Sequence, residues 1–496
     1  MGAASAAEGR RPVVGCTVSL SVSERRRKLV HLGVGGCAFL LRFLTWPQAA
    51  ALAVAAFLFN WKVLPRIGGE GLWRGADREK GYPLGILLYP LSVLGLILAF
   101  RGDLWKAGAV WGVLAFGDGM ASLVGQSIGG PRLPWNDGKG WAGSLAFVLF
   151  GTMGSAALIA WTRGLPPSAT GSARVLGLAV ALAVLCALVE SVPTALDDNL
   201  TVPLVGGVFL ALVADVDFGP FLTDAELPRR VLTGLAVNVA IAASAYVARS
   251  IDLAGAFSAV IIGTAITAGL GLGGLALMIA FFVLGSAATK LGYPLKAARG
   301  IAQGKGGARG WRNAWANGGV PALLALVAGA YGAESWSLVH AGRGNSLGPA
   351  GYAGWLVTAA YAASVATAAA DTCSSEVGKA FGRRTFLVTS FEPVPPGTEG
   401  AVSVEGTLGG LVGALVVAFV GWAAGLCTGP VAAAVTVAGL LGSLAESAIG
   451  TVAERRGWLD NDLLNALNTA IGGATGALLL TLLDRIWPTH AFFVLG

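Results

Sequence analysis

Long apolar segments recur along the whole chain and constrain its fold more than any other sequence feature. Runs of about 17–22 apolar residues follow one another, and this is the length that a helix needs to cross a bilayer. Only 12% of the residues are charged, whereas a soluble domain carries about a quarter. In lipid the backbone must satisfy its own hydrogen bonds, so these segments predict helices and no strands. We expect an all-α, multi-pass integral membrane protein with roughly 13–15 transmembrane helices.

One polar stretch occurs twice along the chain. FGDGMASLVGQSIGG (116–130) and ADTCSSEVGKAFG (370–382) align without a gap. The matched residues are Asp118, Ser122, Gly125 and Gly129 in the first copy, and Asp371, Ser375, Gly378 and Gly382 in the second. Their steps of four, three and four place each set on one face of a helix. A polar loop follows each copy, and then Gly143-Ser144 or Gly406-Thr407 opens a new apolar run.

The acidic residues that follow also repeat. Asp118 precedes Glu190 by 72 residues, and Asp371 precedes Glu446 by 75 residues. Clusters of Asp and Asn come next, namely Asp197, Asp198 and Asn199 in the first half and Asp460, Asp462 and Asn465 in the second. We therefore predict two related helical membrane domains in tandem, each with its own acidic site, in which Asp118 lies near Glu190 and Asp371 near Glu446. The predicted divisions are an N-terminal tail (1–23), a first domain (24–218), a linker (219–230) and a second domain (231–496).

Each polar feature also has a structural interpretation. Asp118 between two glycines fits a helix cap, but its repetition with matching neighbours favours a functional carboxylate. Lys28 and His31 lie three residues apart, so they fit either a cytosolic anchor or a pair that faces a phosphate or an alcohol. The loop that contains Lys139 and the glycine-rich block with Lys305 are either positive-inside loops or anion-binding loops.

The chemistry that these residues support is limited. The five cysteines are isolated and there are only three histidines, so a disulfide framework and a zinc site are not expected. No GxxxxGK[ST] motif occurs, and the net charge of +7 lies in short loops, so it does not indicate nucleic acid. Carboxylate oxygens suit Mg²⁺. The residues alone predict Mg²⁺-dependent transfer of a phosphate-containing group to a lipid, and leave open a kinase or a nucleotidyltransferase.

The motifs resemble two related enzyme families. RKLVHLGVG (27–35), GDGMASLVGQSIG (117–129), GKGWAGS (138–144) and ALVESVPTALDDNLTVP (187–203) resemble the phytol kinase and dolichol kinase family over about residues 24–215. LGSAATKLGYPLKAARG (284–300), GGARGWRNAWANGG (306–319), VPPGTEGAVSVEGTLGG (394–410) and NDLLNALNT (461–469) resemble the phytyl-phosphate kinase family over about residues 231–487.

The resemblance implies a bifunctional enzyme that converts phytol, or a similar prenol, to its monophosphate and then to its diphosphate. It implies CTP as co-substrate and Mg²⁺ as cofactor, in a bacterial inner membrane or, in an alga, a plastid membrane. The implied partners are the isoprenoid alcohol and its monophosphate, a nucleoside triphosphate and the bilayer. The product would supply tocopherol and phylloquinone synthesis. A cytidylyltransferase-like lipid enzyme and a repeat-built transporter are the alternatives.

The predicted site residues fall into three groups. The catalytic carboxylates are Asp118, Glu190, Asp371 and Glu446. The metal ligands are Asp118, Asp198, Asp371 and Asp462. The residues predicted to bind the nucleotide or a phosphate are Lys28, His31, Lys139, Gly143, Ser144, Asn199, Lys290, Lys305, Arg309, Ser375, Gly397, Thr398 and Asn465. Glu376 is also marked by the resemblance.

Overall fold

The structure, a computed structural model, describes residues 22–67, 84–166, 172–302, 309–332, 349–453 and 459–486. Ten helices within these ranges are long and apolar enough to cross a membrane, which confirms the predicted helical membrane fold. The sequence predicted roughly 13–15 spans, which is more than the ten found in the described residues. One of the ten, Leu253–Lys290, is really two helices that meet at Gly271, where φ is 63°. Two further apolar helices, Leu84–Ala99 and Asp198–Val213, are shorter than a full span.

The chain divides into two compact units, unit 1 (Met1–Asp215) and unit 2 (Val216–Gly496). The predicted domain boundary after residue 218 falls close to this division. The predicted linker, 219–230, is not an extended segment, because it contains a short helix, Gly219–Leu222, and the first turn of the helix Leu227–Val247.

Unit 1 consists of eight described helices and one two-stranded sheet. The elements are α1 (Val22–Gly35), α2 (Trp46–Leu58), α3 (Leu84–Ala99), α4 (Leu104–Gly112), α5 (Gly119–Ile128), β1 (Arg132–Leu133), β2 (Asn136–Gly140), α6 (Trp141–Thr162), α7 (Ala173–Ser191) and α8 (Asp198–Val213). A 3₁₀ segment (Gly36–Arg42) extends α1, and a π-helical segment (Val113–Asp118) joins α4 to α5.

The continuous helix formed by α4, the π-helical segment and α5 is the centre of unit 1. It is the most buried of the unit's candidate spans, and α6 packs along it. Asp118 is the last residue of the π-helical segment. Such segments widen the helix locally and occur often at functional sites. α5 ends at Gly129, which adopts φ 68°, a conformation that glycine accepts without strain.

Unit 2 has a similar order of elements. They are α9 (Gly219–Leu222), α10 (Leu227–Val247), α11 (Leu253–Lys290), α12 (Tyr293–Ala298), α13 (Trp311–Ala330), α14 (Pro349–Phe381), β3 (Thr385–Leu387), β4 (Ala401–Ser403), α15 (Val404–Ala423), α16 (Gly429–Ala453) and α17 (Asn461–Ile486). α14 carries Asp371 and packs against α11, α13, α15, α16 and α17. It is the most buried of the candidate spans in the described chain.

Both units place a short antiparallel sheet between the Asp-bearing helix and the next span. In unit 1, Arg132 pairs with Gly140, and in unit 2, Thr385 pairs with Ser403. These strands correct the expectation that the chain would form none. The expectation rested on the bilayer interior, whereas the strands lie in the polar loops between candidate spans.

Candidate functional site

Asp118 lies at the centre of a buried charged cluster in unit 1. Lys28, from α1, donates to both carboxylate oxygens of Asp118, over 2.9 and 2.8 Å. The two side chains are only 5% and 11% exposed, so the pair is shielded from water. His31 Nε2 lies 3.5 Å from the same carboxylate and 3.1 Å from the carbonyl oxygen of Leu114. Lys28 and His31, predicted to face a phosphate or an alcohol, thus lie against the Asp118 carboxylate, and their contact with a phosphate stays a prediction.

Lys139 completes the cluster from the sheet side. Its Nζ lies 2.6 Å from a carboxylate oxygen of Glu190 and 3.5 Å from Asp198 Oδ2. It also donates to the backbone carbonyl of Glu190. Burial disfavours the charged form of Lys139, but Glu190 and Asp198 outweigh that effect and raise the pKa of Lys139 above its ordinary value. Lys139 is therefore a fixed positive charge at neutral pH.

The β1–β2 loop holds Lys139 in place. Asn136 donates to the backbone carbonyl of Ser191 over 2.9 Å, and Trp135 donates to the Ser191 hydroxyl over 3.1 Å. Ser191 directly follows Glu190 at the end of α7. These contacts attach the hairpin to the helix end that carries the acidic partner of Lys139.

Three carboxylates converge in unit 1. Ligand atoms of Asp118, Glu190 and Asp198 all lie within 4.8 Å of one another. Two lysines face these three acids, so the cluster keeps one negative charge in excess when His31 is neutral. The set offers hard oxygen ligands of the kind that Mg²⁺ prefers.

Three other predicted residues of unit 1 have packing roles. Asn199 donates to Asp197 Oδ1 over 2.8 Å and to the carbonyl of Gly85 over 3.3 Å, so it joins the start of α8 to the start of α3. A Cβ on Gly125 would lie 2.9 Å from the Gly143 Cα, so Gly143 allows α6 to cross α5 closely. Ser144 is half-buried next to this crossing.

Asp371 in unit 2 has a different partner. Its carboxyl group shares a hydrogen bond with Glu446, from α16. Two carboxyl groups in hydrogen-bond contact must share either a proton or a cation, because two bare carboxylates repel each other. The predicted pair Asp371 and Glu446 is therefore brought together, as is the pair Asp118 and Glu190.

A buried ion pair in unit 2 was missed by the sequence analysis. Lys296 Nζ contacts a carboxylate oxygen of Glu376, and both side chains are almost fully buried, at 1% and 2% exposure. Lys296 also donates to the carbonyl of Thr289 over 2.7 Å. The available signal was a lysine inside the short apolar helix YPLKAA. Its partner lies 80 residues further along the chain, so no local pattern indicates the pair.

Among the described residues, neither Lys290 nor Arg309 forms an ion pair with Asp371. Lys290 is exposed at the end of α11, and Lys305 lies outside the described residues. Arg309 lies within electrostatic range of Glu376 and of Cys373, on α14. Burial lowers the pKa of Arg309 from its ordinary value, and Glu376 opposes that shift.

The structure gives the surroundings of the other predicted residues of unit 2. Asp462 lies 3.8 Å from Arg312, and the described part of unit 2 holds no group of three acidic ligands, so its role as a metal ligand stays a prediction. Ser375 is exposed and donates to the carbonyl of Thr372 in its own helix. Asn465 is buried in α17.

Gly397 and Thr398 lie in a turn. Gly397 adopts φ 90°, and a Cβ there would lie 2.8 Å from Ile301. The Thr398 hydroxyl donates to the carbonyl of Pro395 over 2.8 Å, so its hydrogen bond stays within the turn. Their predicted contact with a phosphate stays a prediction.

Several known proteins are similar to this chain. An uncharacterised membrane protein of Synechocystis sp. is 40% identical over 215 residues, which cover 43% of this chain and 76% of that protein. Protein VTE6, a chloroplastic protein of Arabidopsis thaliana, is 35% identical over 245 residues, which cover 48% of this chain and 67% of that protein. A phytol kinase of Synechocystis sp. is 31% identical over 196 residues, which cover 38% of this chain and 78% of that protein.

No solved structure matches the chain. Residues 236–473 match the family described as integral membrane protein DUF92. Together with the relatives above, this match establishes that the chain belongs to the DUF92 family of integral membrane proteins.

Proposed function

We propose that this protein is a bifunctional isoprenoid-alcohol kinase. Unit 1 would phosphorylate phytol or a similar prenol, and unit 2 would phosphorylate the resulting monophosphate, each with CTP and Mg²⁺. A relative named phytol kinase supports the reaction class. In a photosynthetic cell the diphosphate would supply tocopherol and phylloquinone synthesis.

The convergence of charged side chains in unit 1 is the observation that carries this proposal. One cluster brings together charged side chains from five separate elements, namely Lys28, Asp118, Lys139, Glu190 and Asp198. Burying a charge costs free energy unless the charge is paired, and buried charges within membrane segments commonly have a function. A set of acids with two fixed cations is suited to a nucleoside triphosphate and its counter-ion.

The carboxylates fit Mg²⁺ by their chemistry and by their mutual distances of at most 4.8 Å. Asp118, Glu190 and Asp198 would hold the ion in unit 1, and Asp371 and Glu446 would do so in unit 2. The ion supplies neutralisation of charge on the donor phosphates.

In the first step, the prenol oxygen forms a bond to the γ-phosphorus of CTP, the bond to the β-phosphate bridging oxygen breaks, and CDP leaves. The hydroxyl proton would pass to the Asp118 carboxylate. Lys139 would bind donor phosphate oxygens, because it is a fixed cation beside the acids. Lys28 would hold the Asp118 carboxylate in the orientation that faces the attacking hydroxyl.

In the second step, the nucleophile is a phosphate oxygen of the monophosphate, which attacks the γ-phosphorus of a second CTP. This nucleophile is already anionic, so the step needs cations that bring two anions together more than it needs a proton acceptor. Unit 2 differs from unit 1 in a corresponding way, because its Arg309 has no acidic partner within ion-pair distance among the described residues.

A product assay with purified full-length protein in detergent tests the proposal. The protein receives phytol, Mg²⁺ and each nucleoside triphosphate in turn, and products are separated by their number of phosphates. We expect phytyl monophosphate and then diphosphate, with CDP released and CTP preferred.

The control is the double variant Asp118→Asn/Asp371→Asn, which should form neither product. Release of pyrophosphate with a cytidylylated lipid would show a cytidylyltransferase instead. Absence of any prenol-dependent nucleotide turnover in folded protein would reject an enzyme of either kind and favour the transporter.

A further inference from the structure

A cavity of about 110 Å³ lies in unit 2, apart from the acidic pair. It is enclosed by α10, α11 and the start of α13, and most of its wall is apolar, with side chains such as Ile241, Ala259, Met278 and Phe282. Arg309 and Asn313 supply polar groups to the same wall. Asp371 and Glu446 are not part of its lining.

The guanidinium of Arg309 lies at the wall of this cavity. Among the described residues, its guanidinium has neither a hydrogen bond nor an ion pair with any acid. It is nevertheless held in place, with its guanidinium carbon 5.6 Å from the centre of the Phe281 ring. A Cβ on Gly285 would lie 2.6 Å from a terminal guanidinium nitrogen, so Gly285 provides the space that this position requires.

The backbone fixes Arg309 from the other side. Its N–H donates to the carbonyl of Ser250 over 3.0 Å, and its carbonyl accepts from the N–H of Asp252 over 3.2 Å. A planar cation that is held by packing and lacks an acidic partner is ready for a bidentate anion such as a phosphate monoester.

The size and wall of the cavity restrict what the rest of the ligand is. Pockets for whole small ligands measure about 300–1,000 Å³, so 110 Å³ is too small for a nucleotide. Its apolar wall suits a short piece of hydrocarbon. A phosphate joined to hydrocarbon matches both parts of the site.

We propose that this cavity is the acceptor site of unit 2 and that it takes an isoprenoid phosphate monoester. The phosphate binds Arg309 and Asn313, and the chain next to the phosphate occupies the apolar part. Arg309 lies within electrostatic range of Glu376 and Cys373 on α14, the helix that also carries Asp371. This inference rests on the proposed function and reassigns Arg309 from the donor phosphates, its predicted ligand, to the acceptor phosphate.

Two substitutions test the two halves of the site. Arg309→Gln removes the positive charge. Arg309→Lys keeps the charge but loses the two parallel N–H donors of the guanidinium. Ala259→Phe fills the apolar part. Matched controls are Arg229→Gln, an exposed arginine of α10, and Ala243→Phe, on the exposed face of the same helix.

Binding and kinetics are measured separately on full-length protein in detergent. Binding is followed by thermal unfolding with phytyl monophosphate, phytol or inorganic phosphate as the probe. We expect phytyl monophosphate to bind at least about tenfold more weakly to Arg309→Gln, since a charge-assisted contact is lost, and Arg309→Lys to be intermediate. KM for the monophosphate should rise in parallel, while KM for CTP stays within about twofold. Ala259→Phe should weaken binding of phytyl monophosphate and leave the response to inorganic phosphate unchanged.

The outcomes separate this inference from the proposed function. If Arg309→Gln raises KM for CTP and not for the monophosphate, Arg309 belongs to the donor site and the inference is wrong. If Ala259→Phe binds phytyl monophosphate as Ala243→Phe does, the chain does not occupy this cavity. If wild-type protein binds phytyl monophosphate through Arg309 but never turns it over, the proposed function fails and the binding site stands.

Discussion

The acidic sites of the two units share a sequence motif, but the negative charge of their acids is compensated by different partners. Asp118 is held by Lys28, and Glu190 is held by Lys139, so each acid of unit 1 has a lysine. Asp371 in unit 2 meets a second acid, Glu446. The buried lysine of unit 2, Lys296, pairs with Glu376 instead.

The two units therefore keep a common framework and differ in the partners of their buried acids. Both place an Asp on the most buried span of the unit, followed by a two-stranded sheet and a new helix. In unit 1, lysines lie next to the acids. This arrangement fits the proposed reaction of unit 1, in which the acceptor is a neutral alcohol and the donor is a charged nucleotide. In unit 2 the two acids share a hydrogen bond, and among the described residues the guanidinium of Arg309 has no acidic ion-pair partner, which fits the anionic acceptor that we propose for this unit.

The largest expected effect separates the two reactions. Asp118→Asn should lower phytol phosphorylation by at least about 1,000-fold, because it removes a charged ligand of the reacting groups, and leave phytyl-monophosphate conversion intact. Asp371→Asn should do the reverse. The measurement is initial rate with each acceptor supplied separately. If both folded variants lose both steps, the two units do not have separate sites.

Loss of one buried partner should destabilise the protein strongly. Lys28→Met leaves Asp118 buried without its partner and should cost about 3–5 kcal/mol, measured by unfolding in detergent. The double variant Lys28→Met/Asp118→Asn should recover a large part of that loss. Lys296→Met and Lys296→Met/Glu376→Gln form the matching pair in unit 2. Additive effects in either double variant would show that the pair is not coupled.

A divalent ion should stabilise the protein through both acid groups. At a concentration about 100 times its Kd, Mg²⁺ should add about 2.7 kcal/mol at each site that binds it. Asp371→Asn should remove the contribution of unit 2, because it takes one carboxylate from the Asp371–Glu446 pair. The check is a shift in unfolding temperature with Mg²⁺ against an equal ionic strength of Na⁺. An unchanged shift in Asp371→Asn would place the ion elsewhere.

The smallest effect concerns two glycines that align in the sequence. A Cβ on Gly125 would lie 2.9 Å from the backbone of Gly143, so Gly125→Ala should cost about 1–3 kcal/mol through overpacking. A Cβ on Gly378 would meet nothing closer than 3.4 Å, so Gly378→Ala should be tolerated. Unfolding of the two variants side by side makes the comparison. Equal losses would contradict it.

Much of the fold was predictable because it depends on local composition. Apolar runs of sufficient length identify the spans, and the spacing of Asp118, Ser122 and Gly125 identifies a helix. The duplicated order of acids also predicted that Asp118 meets Glu190 and that Asp371 meets Glu446. The two short sheets were not predicted, since the argument from the bilayer does not apply to polar loops.

The sequence by itself determined a helical membrane protein with two acidic motifs in tandem, since hydropathy and spacing are properties of neighbouring residues. Only the tertiary structure decided which cation faces which acid. Lys28 pairs with Asp118, Lys296 pairs with Glu376, and Arg312 lies close to Asp462. The physical reason is that these contacts join residues 80 to 150 positions apart and depend on how the helices pack.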